Sequence, residues 1–343
     1  MKYSLLFVIM LMIGCATKEK SIQFSKVRIE TVFQDSVSIR AIEFLDAKTL
    51  AFAGSDGIYG TVDVRTNTVR SNIQRYDSIT PSFRAVAHTD SDFFMLSIAS
   101  PALLYKTGES GKMELVYIEE GEGVFYDSMK FWNNLEGIAV GDTMDGCLSI
   151  IITRDGGNNW KKLACAQLPK SAEAEGAFAA SNTNIDIVGD KVWIGTTAGN
   201  VYSSADKGMT WKVNQTPIVK EKPTEGIYSI DFYDENLGFA IGGDYTDPDS
   251  NKKNKIITQD GGETWNLIAD GQLPNYKSCV QFVANADGKT LVAVGFTGIS
   301  GSNDQGMSWK QLSDESFYTL RFLNDSIAYA AGKHRISKLV FSR

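Results

Sequence analysis

The chain has 343 residues, a formal charge of −7, 31 Gly, 18 Phe and only two His. An acidic chain with no basic run is a poor partner for nucleic acid or for anionic lipid headgroups. His88 and His334 lie far apart, without Cys or acidic neighbours at metal spacing, so no zinc site, His-based catalytic site or cofactor is expected.

Residues 1–14 read as a signal peptide: Lys2 is the positive region and Leu5 to Ile13 the apolar one, too short for a permanent transmembrane helix. The run ends Met12-Ile13-Gly14-Cys15, which resembles a bacterial lipobox. That resemblance implies diacylation of Cys15, a polar tether over 15–25, and a membrane contact made only through the lipid. Ala16 after the Cys favours the outer membrane, with the domain on its periplasmic or its surface face. The rest, 26–343, is expected to be one domain and monomeric.

Two repeat elements recur along this domain. The first is a short apolar strand ending in Gly: Leu50 to Gly54, Gly137 to Gly141, Val192 to Gly195, Gly238 to Gly242, Leu291 to Gly295 and Ile327 to Gly332. Phe93 to Ala99 fills the gap in the series without its Gly. The second is the phrase Ser/Thr-x-Asp-x-Gly-x-x-Trp, at Asp155/Trp160, Asp206/Trp211, Asp260/Trp265 and Asp304/Trp309. Each phrase lies between two β-branched or apolar runs, as a tight hairpin turn does. The Asp can accept bonds from the turn's own N–H groups, Gly supplies positive φ, and Trp covers the hairpin. These aspartates are read as structural.

Repeats at this period predict an all-β propeller of four-stranded antiparallel blades. The count comes to seven, six being the alternative. The last unit is one strand short, and Val27 to Phe33 is one strand too many, so the N-terminal strand is expected to close the ring. Of the cysteines, Cys147 and Cys165 face each other if the hairpin at Asp155 pairs with Thr153 opposite Asn159. A Cys147–Cys165 disulfide is therefore expected, with Cys279 left as a buried thiol.

Aligning the innermost strands on their apolar pairs places one position per blade near the channel mouth: Arg40, Arg84, Asp127, Tyr228, Ser278 and Tyr318, with Phe178 in the fourth blade. Arginines, an Asp and aromatics around one mouth form a polar, aromatic recognition ring. The opposing reading is a wall of channel residues bathed in water. Three Glu-Gly pairs at Glu122, Glu175 and Glu225 precede innermost strands. With Asp127 they are the candidate carboxylates if the protein is a glycoside hydrolase. The connection 243–254 carries Asp244, Asp247 and Asp249 but lacks the closing residues of a calcium loop, and reads as a protruding surface loop.

The repeated phrase resembles the Asp-box, or BNR repeat, of sialidases, sortilin and the photosystem II assembly factors, all of them β-propellers. The stretch Leu168-Pro-Lys-Ser-Ala-Glu-Ala-Glu-Gly-Ala-Phe-Ala-Ala-Ser181, followed by Val192-Trp-Ile-Gly195, resembles the photosystem II stability/assembly factor-like group of exported bacterial propellers. Its members are often labelled oxidoreductases or glycosyl hydrolases without a shown reaction. This resemblance implies a non-enzymatic module that holds a protein or glycan at its mouth, as an assembly or scaffold factor. The alternative is a sialidase- or xyloglucanase-like hydrolase. A sialidase needs three arginines and an Arg-Ile-Pro phrase, and here only Arg40 and Arg84 are in phase. An oxidoreductase finds no support, since the chain carries no dinucleotide-binding motif and no haem or flavin ligand set.

Overall fold

A computed structural model of the chain describes residues 23–108, 111–284 and 286–343. The expected signal peptide, Cys15 and most of its tether lie outside the described residues. Short β-branched and apolar runs, broken by Gly, Asp and Asn turns, form strands that hydrogen-bond to their neighbours in sequence. The third sheet is typical: Tyr126–Phe131, Gly137–Met144, Cys147–Thr153 and Lys161–Lys162 pair in chain order. Among the described residues no helix is long and apolar enough to cross a membrane.

The expected seven separate blades are corrected to six. Five sheets have four strands, and the sixth has six, in the order Thr319–Phe322, Ile327–Ser342, Lys26–Asp46, Thr49–Gly54, Ile58–Asp63, Thr68–Ile73. The expectation that the N-terminal strand closes the ring by completing a separate last blade is corrected as well. Residues 26–46 are one strand of 21 residues, pairing first with Ile327–Ser342 and then with Thr49–Gly54. The reason is continuity of the ladder. A register shift between Gln34 and Ser38 bends it without ending it, so the first and last strands of the described residues lie inside one sheet.

Neighbouring sheets bury their apolar faces against each other. Ile138, Val140 and Ile150 of the third sheet meet Ile185, Val192 and Ile194 of the fourth. The Asp turns reinforce these seams. Asp260 accepts bonds from Thr258 Oγ1 at 2.8 Å, Thr264 N at 2.9 Å and Thr264 Oγ1 at 2.6 Å. Asp206 and Asp304 repeat the arrangement with Thr210 and Ser308, and Asp155 does so with Asn159. The turn glycine leans on the sheet before it: a Cβ on Gly306, which has φ of +85°, would lie 2.3 Å from the Phe239 ring. Trp160 likewise reaches back to Phe94 and Trp309 to Phe239, while Trp265 clusters with Trp193 of the preceding sheet and meets Phe232 of its own. Trp211 packs with Ile138, Ile150 and Ile152 of the third sheet. Each turn is thus a clip between sheets.

Cys147 and Cys165 form a disulfide with Cα atoms 5.5 Å apart. Its origin differs from the expected strand register. Ile151 pairs with Lys162 and Ile152 with Lys161, one residue off the expected alignment, and that strand ends after two residues. Cys165 instead opens the 3-10 turn Cys165–Gln167, which swings it back over Cys147. Cys279 is a fully buried free thiol, its pKa raised first by burial.

Candidate functional site

Four mouth positions share one local device. In the pairing of each innermost strand with the next, Ile39 and Ala41 oppose Gly54 and Ala53, so Arg40 is an extra residue. The same shift leaves Arg84 between Phe83 and Ala85, Asp127 between Tyr126 and Ser128, and Tyr228 between Ile227 and Ser229. A β-bulge re-aims the side chain of its extra residue and is common beside functional sites. The room comes from small partners: a Cβ on Gly141 would lie 2.1 Å from the carbonyl oxygen of Phe125. Sequence alignment found these positions, and the bulge explains their common orientation.

Around them a cleft of about 910 Å³ opens, lined by Arg40, Arg84, Phe178 and Tyr228 among others. One wall is a continuous aromatic path. Phe178 stacks on Tyr228 at 3.6 Å and 6°, and Tyr228 meets Tyr276 edge-on at 4.8 Å. Tyr276 then meets Phe296 at 5.4 Å, Phe296 meets Tyr318 at 5.8 Å, and the Arg40 guanidinium lies 3.8 Å above the Tyr318 ring. Tyr245 and Phe296 keep 46% and 38% of their surface exposed, which makes them the reachable rim of this wall.

The two arginines are poorly neutralised. Arg40 Nη1 donates to the carbonyl of Ala180 at 3.4 Å and Arg84 Nη1 to that of Ala179 at 3.3 Å, both long bonds. The Nε of Arg40 is buried without a partner. Among the described residues neither arginine has a carboxylate within ion-pair distance. Burial lowers the pKa of both, and burial together with the Arg40 charge brings Arg84 to about 10. Both stay charged at neutral pH. Asp127 sits deeper, with no exposed surface and, among the described residues, no partner at normal hydrogen-bond geometry, the Ala179 N–H being the nearby backbone donor. Burial pushes its pKa well up, the Asp142 charge adds to this, and Arg84 opposes it.

The channel is not an open tube at this level. Residues 178–184 cross it, joining all the sheets. The Asn182 side chain donates to the Val86 carbonyl and accepts from Met129 N, at 2.8 and 2.9 Å. Ser181 Oγ donates to the Ser278 carbonyl at 2.7 Å, Thr319 Oγ1 donates to the Ser181 carbonyl at 2.9 Å, and Ile230 N donates to the Thr183 carbonyl at 2.7 Å. Phe178 therefore reaches the mouth from this crossing segment. The innermost strand of its sheet, Ile185–Val188, begins seven residues later. Ser278 is structural, its hydroxyl donating to the Tyr318 carbonyl at 2.7 Å.

Two of the four candidate carboxylates are engaged by their own surroundings. Glu122 is exposed. Glu175 is buried and accepts from Ala172 N, Asn200 Nδ2 and Tyr202 Oη at 2.7 to 2.9 Å, so it braces its own sheet. Glu225 accepts from the backbone of Glu221 and Lys222. A carboxylate whose lone pairs are already taken is a poor nucleophile or base. The loop 243–254 does not simply protrude. Asp244 is buried, bonded to Thr246 and to Lys222 Nζ at 3.0 Å, which seats Tyr245 at the cleft. No cluster of His, Cys, Asp and Glu suited to a metal occurs among the described residues.

Sequence reasoning missed Asp142 and Phe296, both at the cleft. Each follows the Gly that ends the recurring apolar strand, at Gly141 and Gly295, so that repeat could have located them. Tyr276 had no such marker.

No protein-family model matches the chain, and no curated protein does. Solved structures do. A YCF48 structure described as bound to D1 peptide aligns with a TM-score of 0.66 at 13% identity, covering 95% of this chain and 100% of that one. The RRP9 WD40 repeats align at 0.65 and 11% identity, covering 92% and 98%. YCF48 from Cyanidioschyzon merolae aligns at 0.63 and 12% identity, with the same coverage. At these identities the likeness establishes one thing, that the chain is a β-propeller with YCF48 among its structural neighbours.

Proposed function

We propose that this propeller is a binding module that holds a peptide, or an exposed segment of a partner protein, across its mouth, as an assembly or scaffold factor. The observation that carries the reading is the pair Arg40 and Arg84, bulged into a cleft with an aromatic wall and left without carboxylate partners. A rigid aromatic face supplies contact area at low entropic cost, and guanidinium groups orient carboxylates or carbonyls. Neighbours support the same direction, since one YCF48 structure is described as holding a D1 peptide. The repeated Asp turns keep their reading as Asp-boxes. The domain is read as tethered to the bacterial envelope, at the outer membrane, through lipid on Cys15.

The reading is tested on a tiled array of peptides from the source's exported proteins, followed by titration of the peptides that bind. Arg84→Gln should weaken binding at least about ten-fold at unchanged melting temperature, the cost of losing a charged hydrogen-bonding partner in a partly desolvated cleft. No bound peptide, or binding indifferent to Arg84→Gln and Tyr228→Ala, would overturn it; a hit confined to a glycan array would move the ligand class to carbohydrate. The anchor is tested separately. Cys15→Ser should move the protein from the membrane fraction to the soluble fraction and abolish palmitate labelling, and unchanged fractionation would refute it.

A further inference from the structure

Asp142 adds a carboxyl to the cleft that holds the two arginines. It follows Gly141 at the mouth end of its strand and lines the cleft. Its Oδ1 accepts from Ala177 N at 3.1 Å, which fixes the carboxyl against the crossing segment. A Cβ on Gly176 would lie 1.9 Å from that oxygen, so this glycine is what lets the carboxyl come so close. The buried Asp127 is coupled to it by charge, and Arg84 and Arg40 line the same cleft. From the segment before the crossing come Glu173 and Glu175, the latter with its oxygens taken by its own sheet. Lys220, Glu221 and Lys222 also line the cleft, Lys222 being held by Asp244.

With the deeper Asp127 carboxyl favoured in its neutral form by burial, the ionised Asp142 puts a negative charge in the cleft that holds Arg84 and Arg40. Resting on the reading of the mouth as a binding site, we infer that Asp142 is its acid-responsive element: protonation of this carboxyl removes the charge opposing an anionic ligand group and strengthens capture by Arg84 and Arg40. Burial raises the Asp142 pKa to about 6, with the Ala177 N–H opposing the rise, so the change falls within a mildly acidic range. The sign is fixed by the charges. Above that value the carboxylate repels an anion, and below it the repulsion is gone while both arginines keep their protons.

The test uses the full chain and a tetramethylrhodamine-labelled pentaglutamate peptide, with affinity measured by fluorescence polarisation between pH 8.0 and 5.5. The native protein should bind about three- to ten-fold more tightly at the acid end, as removal of one nearby charge at intermediate dielectric implies. Asp142→Asn keeps the oxygen that accepts from Ala177, so the local fold is preserved. It should bind tightly at both ends with a flat profile. A native affinity that does not change with pH, or an Asp142→Asn variant that keeps the slope, overturns the inference. If Arg84→Gln still abolishes binding in that case, the reading of the mouth stands without it. Absence of binding at every pH, or binding indifferent to Arg84→Gln, removes the mouth reading and this inference with it.

Discussion

At the scale of single residues, the molecule tolerates several buried charges, and these set its response to pH. Lys277 has no exposed surface, and its ammonium donates to Thr297 Oγ1. Burial, and next the charge of Lys255, bring its pKa down to about 7. The unfolded chain holds this proton up to its ordinary value of about 10.5. Folding therefore carries no penalty above that value, an increasing one as pH falls toward 7, and the full one below. Lys277→Met should be the more stable protein at pH 6, by a few kcal/mol, with the gain shrinking toward pH 10. Denaturant unfolding at the two pH values decides it, and an equal shift at both would show that packing rather than charge governs the site.

Elements are where local chemistry and tertiary contact meet. The Asp turns were legible because every part of the device is local: the hydroxyl, the carboxylate and the glycine lie within five residues. Bonds from Thr264, side chain first and backbone next, hold the Asp260 carboxyl below the usual range. Asp260→Ala removes the acceptor of these bonds at an exposed turn and should cost about 1–2 kcal/mol, in line with loss of a capping oxygen. The deficit should fade in acid, because the native carboxylate's contribution is lost as pH drops through its lowered pKa. An unchanged denaturation midpoint at neutral pH would refute it. What the turns clip was less legible. Trp265 and Gly262 bear on Trp193 and Phe232, one of which belongs to the preceding sheet, and no sequence spacing announces that neighbour. The disulfide teaches the same lesson. The pair Cys147 and Cys165 was readable, but the 3-10 turn that joins them was not, because an assumed register cannot show where a strand ends.

At the scale of the whole molecule, the crossing segment 178–184 is the main organiser that reading along the chain did not find. Its bonds reach Val86, Met129, Ser229, Ser278 and Thr319, residues far apart in sequence, so it replaces an open channel with a shared floor under the cleft. It also carries Phe178 into the mouth and supplies the two carbonyls that hold Arg40 and Arg84. The same non-local bonding decides the number of blades. Hydrogen bonds between residues 26–38 and 333–342 run on into the first hairpin, and one six-stranded sheet results.

The sequence by itself determined the all-β class, the propeller, the Asp turns, the paired cysteines and the positions of Arg40, Arg84 and Tyr228 that line the cleft. These follow from period-2 alternation, short repeats and turn chemistry, all of which are encoded within a few residues. Only the tertiary structure decided the six-sheet count, the filled channel, the hydrogen bonds that occupy Glu175 and Glu225, and the entry of Tyr276, Phe296 and Asp142 into the cleft. Each of those depends on which oxygen or ring a side chain meets across sheets. Such meetings are set by the closure of the whole ring, and no local pattern carries them.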